Sequence, residues 1–317
     1  MAVNTALIIT GPTASGKTQL SEWIQPALCG EIINADMGQF YKPLSIGTAK
    51  PNLNLLKYNH HLFDLIDIPQ DLSVAKYRQL VYDKVNLICS NGKTPIIVGG
   101  SLFYIKSLFF PPALLNFGEN PAPEIDLNKL SELELWELLK SIDPVRAKQI
   151  HQNDLYRIRR ALDIWIQTGQ KPSIYKPIYS PIFNAMIIYV CPPTDILNQR
   201  IKQRTEQMVH CGWIDEAKAL MGTDWQEFVE FKGFIGYSEI FEYLKNNKEA
   251  SFLPDLINKI QIKTMQYAKR QRTFWRSFAN QIDQKLDKKC NFIKILEIFV
   301  CDDDALYRII NEFSNMK

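Results

Sequence analysis

Short apolar runs alternate with stretches of helical period along much of the chain. The runs at 6–10, 31–35, 94–98 and 185–191 predict buried strands, and the stretches at 19–28 and 74–89 predict helices. Continuous apolar runs are typical of parallel strands that are covered on both faces. We therefore expect an α/β fold in which helices flank a parallel sheet.

The pattern changes between residues 111 and 180. Prolines cluster at 111, 112, 121 and 123, three helical stretches follow at 131–141, 144–151 and 154–168, and prolines at 172, 177 and 181 end the segment. This texture predicts a helical insertion domain at 111–180 within a core of 1–110 plus 181–317. After residue 191 the chain is mostly helical, apart from an apolar run at 292–300.

Composition excludes several classes of protein. The chain is 46% hydrophobic and 22% charged, which is globular rather than disordered or collagen-like. Its six cysteines contain no CxxC pair, so neither a zinc module nor a disulfide scaffold is indicated. The longest charge-free run, 177–194, holds four prolines and cannot span a membrane. We expect no signal peptide and a cytoplasmic protein. The net charge of +3 is too small to identify a nucleic-acid partner.

A phosphate-binding motif follows the first predicted strand. The residues Gly11, Pro12, Thr13, Ala14, Ser15, Gly16, Lys17 and Thr18 match G-x-x-x-x-G-K-[ST] between a strand and a helix. Backbone N–H groups would cradle a diphosphate or triphosphate, Lys17 would neutralise it, and Thr18 would bind Mg²⁺. The context predicts a P-loop NTPase-like sheet. A motor NTPase would need a second strand-end acid, and Asp36 is the only candidate because the 94–98 strand ends in Gly99-Gly100-Ser101.

An ordered set of further segments accompanies this loop. They are NADMGQFY at 34–41, IGTAKP at 46–51, HHL at 60–62, GGSLFY at 99–104, IHQND at 150–154, Arg200 and Arg204, IGY at 235–237, and AKRQ at 268–271. With them the chain resembles the bacterial tRNA dimethylallyltransferase family, also called tRNA isopentenyltransferases or the IPP transferase family, over about residues 5–280.

The resemblance implies a reaction and a set of residues for it. The family transfers the dimethylallyl group from dimethylallyl diphosphate to N6 of adenosine 37 in tRNAs that read codons starting with U, giving i6A37. It implies catalytic roles for Asp36, Thr18 and Arg204, with Asp36 as general base or adenine acceptor. Arg200 would support the diphosphate, Thr18 would hold the Mg²⁺ cofactor, and the enzyme would be a monomer. From spacing alone, Arg200 and Arg204 are better explained as a solvated helix face.

The tRNA anticodon stem-loop is the expected partner. Two basic clusters favour it: Arg157 to Arg160, and the acid-free run from Lys263 to Arg276, which is interleaved with aromatic residues. The expected tRNA contacts are Asp36, Met37, Gly38, Gln39, Ser101, Tyr156, Arg157, Ile158, Arg159, Arg160, Gly233, Phe234, Ile235, Gly236, Tyr237, Ser238, Lys269, Arg270 and Arg272. Phe40, Phe103 or Tyr104 would stack on bases or line the prenyl pocket, although core packing explains each equally well.

The match has departures. The family usually has serine at the position of Met37, glutamine at that of Tyr156, and a tRNA-contacting arginine where Asp126 stands. The pair His60-His61 suggests a metal, but no third ligand lies at suitable spacing, so we reject a metal site there.

Three other functions remain open from the sequence. An adenylate isopentenyltransferase, acting on free AMP, ADP or ATP, shares the loop and the acid but needs no anticodon-binding insertion. A P-loop kinase of a small metabolite is supported only by the loop. A non-catalytic tRNA-binding protein is disfavoured by the intact Lys17, Thr18, Asp36 and Arg204.

Overall fold

The computed structural model describes residues 4–112, 125–175, 178–246, 252–285 and 293–316. Among them six strands form one parallel sheet in the order β3-β2-β4-β1-β5-β6. The strands are β1 (Thr5–Thr10), β2 (Gly30–Asn34), β3 (His60–His61), β4 (Thr94–Val98), β5 (Asn184–Val190) and β6 (Ile293–Ile298). The predicted fold class is confirmed, and the four predicted strands agree with β1, β2, β4 and β5 to within one residue at each end.

Twelve helices complete the described residues. They are α1 (Lys17–Ala27), α2 (Val74–Ser90), α3 (Leu102–Ser107), α4 (Glu132–Ile142), α5 (Pro144–Ala147), α6 (Leu155–Thr168), α7 (Thr194–His210), α8 (Trp213–Leu220), α9 (Asp224–Lys232), α10 (Tyr237–Lys245), α11 (Leu253–Asp283) and α12 (Asp303–Ser314). None of them is both long and apolar enough to cross a membrane.

The sheet brings three chain segments together at one edge. Strand β1 pairs with β4, and β4 pairs with β2, so the carboxyl ends of these strands lie side by side. The N–H of Gly99 donates to the carbonyl of Ile9 at 3.2 Å, and the N–H of Ala35 donates to the carbonyl of Val98 at 2.8 Å. The residues that follow each strand therefore meet where open α/β sheets bind ligands.

Two strands were not predicted. β6 pairs with β5 through six residue pairs and, with α12, closes a hydrophobic cluster that contains Leu7, Leu296, Ile309 and Phe313. Its run begins at Phe292, which lies outside the described residues. β3 has only two residues, and the imidazole of His61 in it contacts the Glu31 carboxylate at 2.6 Å. Such a short strand carries too little periodicity to be seen in sequence.

The contacts divide the chain into two units, residues 1–109 plus 181–317, and residues 110–180. The predicted boundaries, 110/111 and 180/181, differ from these by at most one residue. In the second unit α4, α5 and α6 surround a core that includes Leu135, Leu139, Ile158 and Leu162. The predicted helix at 144–151 ends already at Ala147. Pro121, Pro123, Glu124 and Pro177 lie outside the described residues.

Candidate active site

The turn between β1 and α1 forms a cradle for an anion. Gly16 precedes α1 with φ +102°, a conformation that favours glycine, and no side chain caps the N–H groups of the first helical turn. The Lys17 ammonium donates to the carbonyls of Gly11 and Pro12 at 3.1 and 2.8 Å. The hydroxyl of Ser15 is buried without a partner. Uncapped N–H groups, an orphan hydroxyl and a lysine are the donors that a phosphate needs.

Two long-range contacts fix this turn at Thr13. The amide oxygen of Gln271 accepts the Thr13 N–H at 2.8 Å, and its amide nitrogen donates to the carbonyl of Gly100 at 2.9 Å. The Arg204 guanidinium donates to the Thr13 hydroxyl. Arg200 differs from Arg204, because it lies outside the pocket and donates to the carbonyl of Ser15 at 3.2 Å. Gln271 was not predicted as a site residue.

Asp36 is held by its backbone and by neighbouring amides. The side chain of Asn34 accepts the Asp36 N–H at 2.8 Å and donates to the Asp36 carbonyl at 3.2 Å. The backbone N–H groups of Gly38 and Gly100 lie near its carboxylate and lower the pKa of Asp36. The carboxylate is thereby aimed from the end of β2 toward the space above the phosphate loop.

Burial shifts the pKa of the acid and of the bases in this site in opposite directions. It raises the pKa of Asp36, although the nearby Lys17 and Arg204 pull that pKa down. It lowers the pKa of Lys17 to about 8, against the attraction of Asp36 and with the repulsion of Arg204. It lowers the pKa of Arg204 too, and Asp36 opposes that shift. A carboxyl with a raised pKa next to a lysine with a lowered one is typical of proton-transfer sites.

These groups line one cavity of about 410 Å³. The predicted residues that line it are Thr13, Lys17, Thr18, Asp36, Met37, Gly38, Gln39, Ser101, Arg204, Gly233, Phe234, Ile235 and Arg270. The lining residues that sequence reasoning missed include Gly47, Thr48, Ala49, Met208, Trp213, Tyr267 and Gln271. At the phosphate-loop end, cations and hydrogen-bond donors line the cavity. Apolar side chains, those of Met208, Trp213, Phe234 and Ile235, line other parts of it.

The other predicted tRNA contacts in the first unit differ in burial and in hydrogen bonding. Ser101 accepts the Met37 N–H at 2.8 Å through its hydroxyl, so it holds the neighbouring loop. Tyr237 is fully buried and donates to the Glu216 carboxylate at 2.6 Å. Its side chain is therefore held inside the protein, and its contact with tRNA stays a prediction. Gly236 is buried beside it and Ser238 is half-buried.

The aromatic candidates separate in the same way. Phe40 and Tyr104 are buried and pack edge to face with ring centroids 5.4 Å apart, so they belong to the core. Phe103 is 61% exposed, which leaves its ring available for stacking.

The basic run on α11 is divided between internal contacts and solvent. Lys263 pairs with the Glu239 carboxylate, and Arg272 donates to the carbonyl of Pro192 at 2.6 Å. Lys269 and Arg270 are exposed. Arg272 therefore anchors α11 to the end of β5, whereas Lys269 and Arg270 are the predicted contacts that remain accessible.

The predicted contacts on α6 belong to the second unit. The side chain of Ile158 is fully buried in that unit's core, and its contact with tRNA stays a prediction. Arg159 donates to the carbonyl of Leu127 at 3.2 Å, and Arg157 pairs with Asp154 at 3.3 Å. Tyr156 is 72% exposed and Arg160 is exposed too. At the departure noted above, the Asp126 side chain accepts the Asn128 N–H at 3.0 Å and caps a helical turn.

Comparison with known proteins identifies the family. The sequence model described as IPP transferase matches residues 39–278. A tRNA dimethylallyltransferase from Rickettsia canadensis is 37% identical over 316 residues, with 92% of each chain covered. The chain belongs to the IPP transferase family.

Other relatives agree with this chain in sequence and fold. A tRNA dimethylallyltransferase from Bacillus pumilus is 33% identical, with 90% of this chain and 91% of that protein covered. The crystal structure of the full-length tRNA isopentenylpyrophosphate transferase from Bacillus halodurans is 29% identical, covers 98% of this chain and 96% of its own, and has a TM-score of 0.64. A eukaryotic dimethylallyltransferase acting on tRNA shares the fold with a TM-score of 0.78 at 24% identity, covering 99% of this chain and 80% of its own.

Proposed function

We propose that this protein is a tRNA dimethylallyltransferase, which moves the dimethylallyl group from dimethylallyl diphosphate to N6 of adenosine 37 in tRNAs that read codons starting with U. The observation that carries the proposal is a single pocket that joins the phosphate loop to Asp36 and Arg204, in a chain of the IPP transferase family. A monomer in the cytoplasm is part of the same proposal, and the monomer comes from the family resemblance.

The loop end of the pocket suits a leaving diphosphate. The transfer breaks the bond between C1 of the allyl group and the diphosphate oxygen, which leaves with the electron pair. The α1 N-terminus, Lys17 and Arg204 are preorganised donors and cations at this place. Each well-placed donor of this kind contributes about 3–4 kcal/mol to a transition state that develops negative charge.

Asp36 suits the acceptor side. The N6 nitrogen forms the new bond to C1 and must lose one proton, which the Asp36 carboxylate accepts. A carboxylate with a raised pKa is a better proton acceptor than an ordinary aspartate, because its basicity lies closer to the working pH. The proton, the new C–N bond and the released diphosphate then balance.

Thr18 would hold a magnesium ion beside the loop. Thr18 is exposed and lines the pocket one residue after Lys17. Mg²⁺ usually takes one or two protein oxygens and completes its shell with phosphate oxygens and water. Thr18 would supply that protein oxygen, and the ion would offset the charge of the departing diphosphate.

The tRNA reaches this pocket with its unpaired loop. An adenine must leave its stack to enter a pocket of this kind, which costs little in a single-stranded loop. Exposed Lys269 and Arg270 on α11 would bind phosphates, and Arg157 and Arg160 on α6 would do so from the second unit. Tyr156 on α6 would stack on a base. The free-nucleotide acceptor of the adenylate branch finds no support among the relatives, which are tRNA enzymes by name.

Single-turnover transfer of radiolabelled dimethylallyl diphosphate with Mg²⁺ tests the proposal. Three acceptors are compared: a tRNA carrying A36-A37-A38, the same tRNA with guanosine at 37, and free AMP. We expect label only on the first. Label on AMP would assign the protein to the nucleotide branch, and no label on any acceptor would refute the transferase.

A further inference from the structure

The Glu216 carboxylate is surrounded by donors from a distant loop. It accepts the N–H groups of Ser45 at 3.0 Å, Ile46 at 2.7 Å and Gly47 at 3.0 Å. The Tyr237 hydroxyl donates to the same group at 2.6 Å. Four donors on one carboxylate are close to all that its lone pairs can accept. The three consecutive N–H groups form an anion-binding turn, here filled by a side chain of the same protein.

The turn at 45–47 is pressed tightly against the elements that carry this carboxylate. A Cβ added at Gly47 would lie 2.2 Å from the Trp213 indole nitrogen and 2.5 Å from the Tyr237 hydroxyl oxygen. Real side chains do not approach so closely, so only glycine allows the turn to reach Glu216. Trp213 and Tyr237 also pack edge to face, with ring centroids 5.8 Å apart.

The same loop continues into the wall of the reaction pocket. Thr48 and Ala49 line the cavity, and their carbonyls accept the Gln39 side-chain amide at 3.1 and 3.3 Å. Thr48 also packs against Gly38, where an added Cβ would meet its methyl group at 2.6 Å. Gly38 is two residues from Asp36, and its N–H lies near the Asp36 carboxylate and lowers the pKa of that group. A continuous path of contacts therefore leads from Glu216 to the proposed base.

We propose that Glu216 is a positioning residue for the transfer reaction. Its carboxylate fixes the 45–49 loop and thereby the pocket wall beside Asp36, and Tyr237 ties this arrangement to the neighbouring segment 233–235, which lines the same pocket. Glu216 itself does not line the pocket, so it acts through the loop. This inference rests on the proposed function for its effect on catalysis, whereas its effect on the loop is independent of it.

Three variants separate this role from general stability. In Glu216→Gln an NH₂ group replaces one carboxylate oxygen and faces donors that it cannot accept. In Tyr237→Phe only the hydroxyl is lost. Asp215→Asn is the matched control. Asp215 is an exposed acid in the first turn of the same helix α8, so the substitution removes the same charge without changing a residue that holds the loop.

Hydrogen exchange of the 45–47 amides gives the direct readout. Losing a hydrogen bond of about 1.4 kcal/mol should speed exchange about tenfold. We expect this in Glu216→Gln, a smaller increase in Tyr237→Phe, and none in Asp215→Asn. Unchanged exchange in Glu216→Gln would overturn the holding role, whether or not the wild-type protein transfers a prenyl group.

Steady-state kinetics gives the catalytic readout. We expect kcat of Glu216→Gln to fall by about 10- to 100-fold, as for a small misplacement of reacting groups, while tRNA affinity and melting temperature stay close to those of Asp215→Asn. Faster loop exchange with wild-type kcat would overturn the link to catalysis. A wild-type protein without transferase activity would refute the proposed function and leave the exchange result standing.

Discussion

The phosphate loop and the predicted tRNA-contacting segments differ in how firmly the rest of the chain holds their side chains. At the loop, Thr13 is fixed by Gln271 and Arg204, and Lys17 lies on two carbonyls. On α6 and α11, Tyr156, Arg160 and Lys269 project into solvent. The difference indicates that preorganised, buried groups carry out the transfer reaction, whereas affinity for tRNA, a large polyanion, is distributed over exposed groups. Changes at the two places should therefore alter different kinetic quantities.

The largest effect should come from Asp36→Asn. The variant keeps the shape of the side chain and removes the proton acceptor, so kcat should fall by about 10²–10⁴-fold. The dissociation constant for tRNA should change little, because binding depends on other groups. Single-turnover rates and filter binding measure the two quantities. If affinity fell as much as kcat, the separation of chemistry from binding would be wrong.

The next largest effect should come from Gln271→Leu. The substitution leaves the Thr13 N–H and the Gly100 carbonyl without their shared partner, and each unsatisfied buried group costs about 1–3 kcal/mol. We expect kcat/KM for dimethylallyl diphosphate to fall by about 10- to 100-fold. Gln281→Leu is the control, since Gln281 lies on the same helix and donates to the Ser277 hydroxyl of that helix at 3.3 Å. Equal behaviour of the two variants would show that Gln271 does not hold the loop.

The pH profile sharpens the description of the buried end. Activity needs ionised Asp36 and charged Lys17. Burial raises the pKa of Asp36, so kcat/KM should fall as the pH is lowered. The midpoint of this acid limb should lie above the ordinary aspartate pKa of about 3.9. Because burial lowers the pKa of Lys17 to about 8, it should decline again above about that pH. Bound diphosphate favours the charged lysine, so the alkaline limb of kcat should lie higher.

Full pH profiles of kcat and kcat/KM measure these limbs. An alkaline limb of kcat/KM at the ordinary lysine value of about 10.4 would contradict the description of Lys17. The Lys17→Arg variant serves as a control, since its guanidinium stays charged and should remove the alkaline limb.

The smallest effect on turnover should come from the exposed end. Arg157→Glu with Arg160→Glu should leave kcat at saturating tRNA unchanged. Binding should weaken, and its dependence on salt should flatten by about two units of slope, since each lost phosphate contact removes about one. The same double reversal at Lys129 and Lys140, which are exposed in the same unit, is the control. An unchanged slope would remove Arg157 and Arg160 from the interface.

Local patterns predicted what local sequence determines. The four predicted strands, the phosphate loop and the position of Asp36 after β2 each depend on a short contiguous segment, and each lies where it was expected. Gln271 and Glu216 were missed because their partners stand 258 and about 170 positions away. The burial of the Tyr237 and Ile158 side chains was not predicted, because a motif does not show which way a side chain faces. β6 was read only as an apolar run, since pairing with β5 depends on the folded sheet.

The most direct test of the central claim is one single-turnover experiment at saturating tRNA and dimethylallyl diphosphate. It compares the wild-type protein with Asp36→Asn and with Arg157→Glu/Arg160→Glu. We predict wild-type label transfer to adenosine 37 in the double arginine variant and a rate lower by about 10²–10⁴-fold in Asp36→Asn. Wild-type transfer in Asp36→Asn would contradict the assignment of the reaction to this pocket.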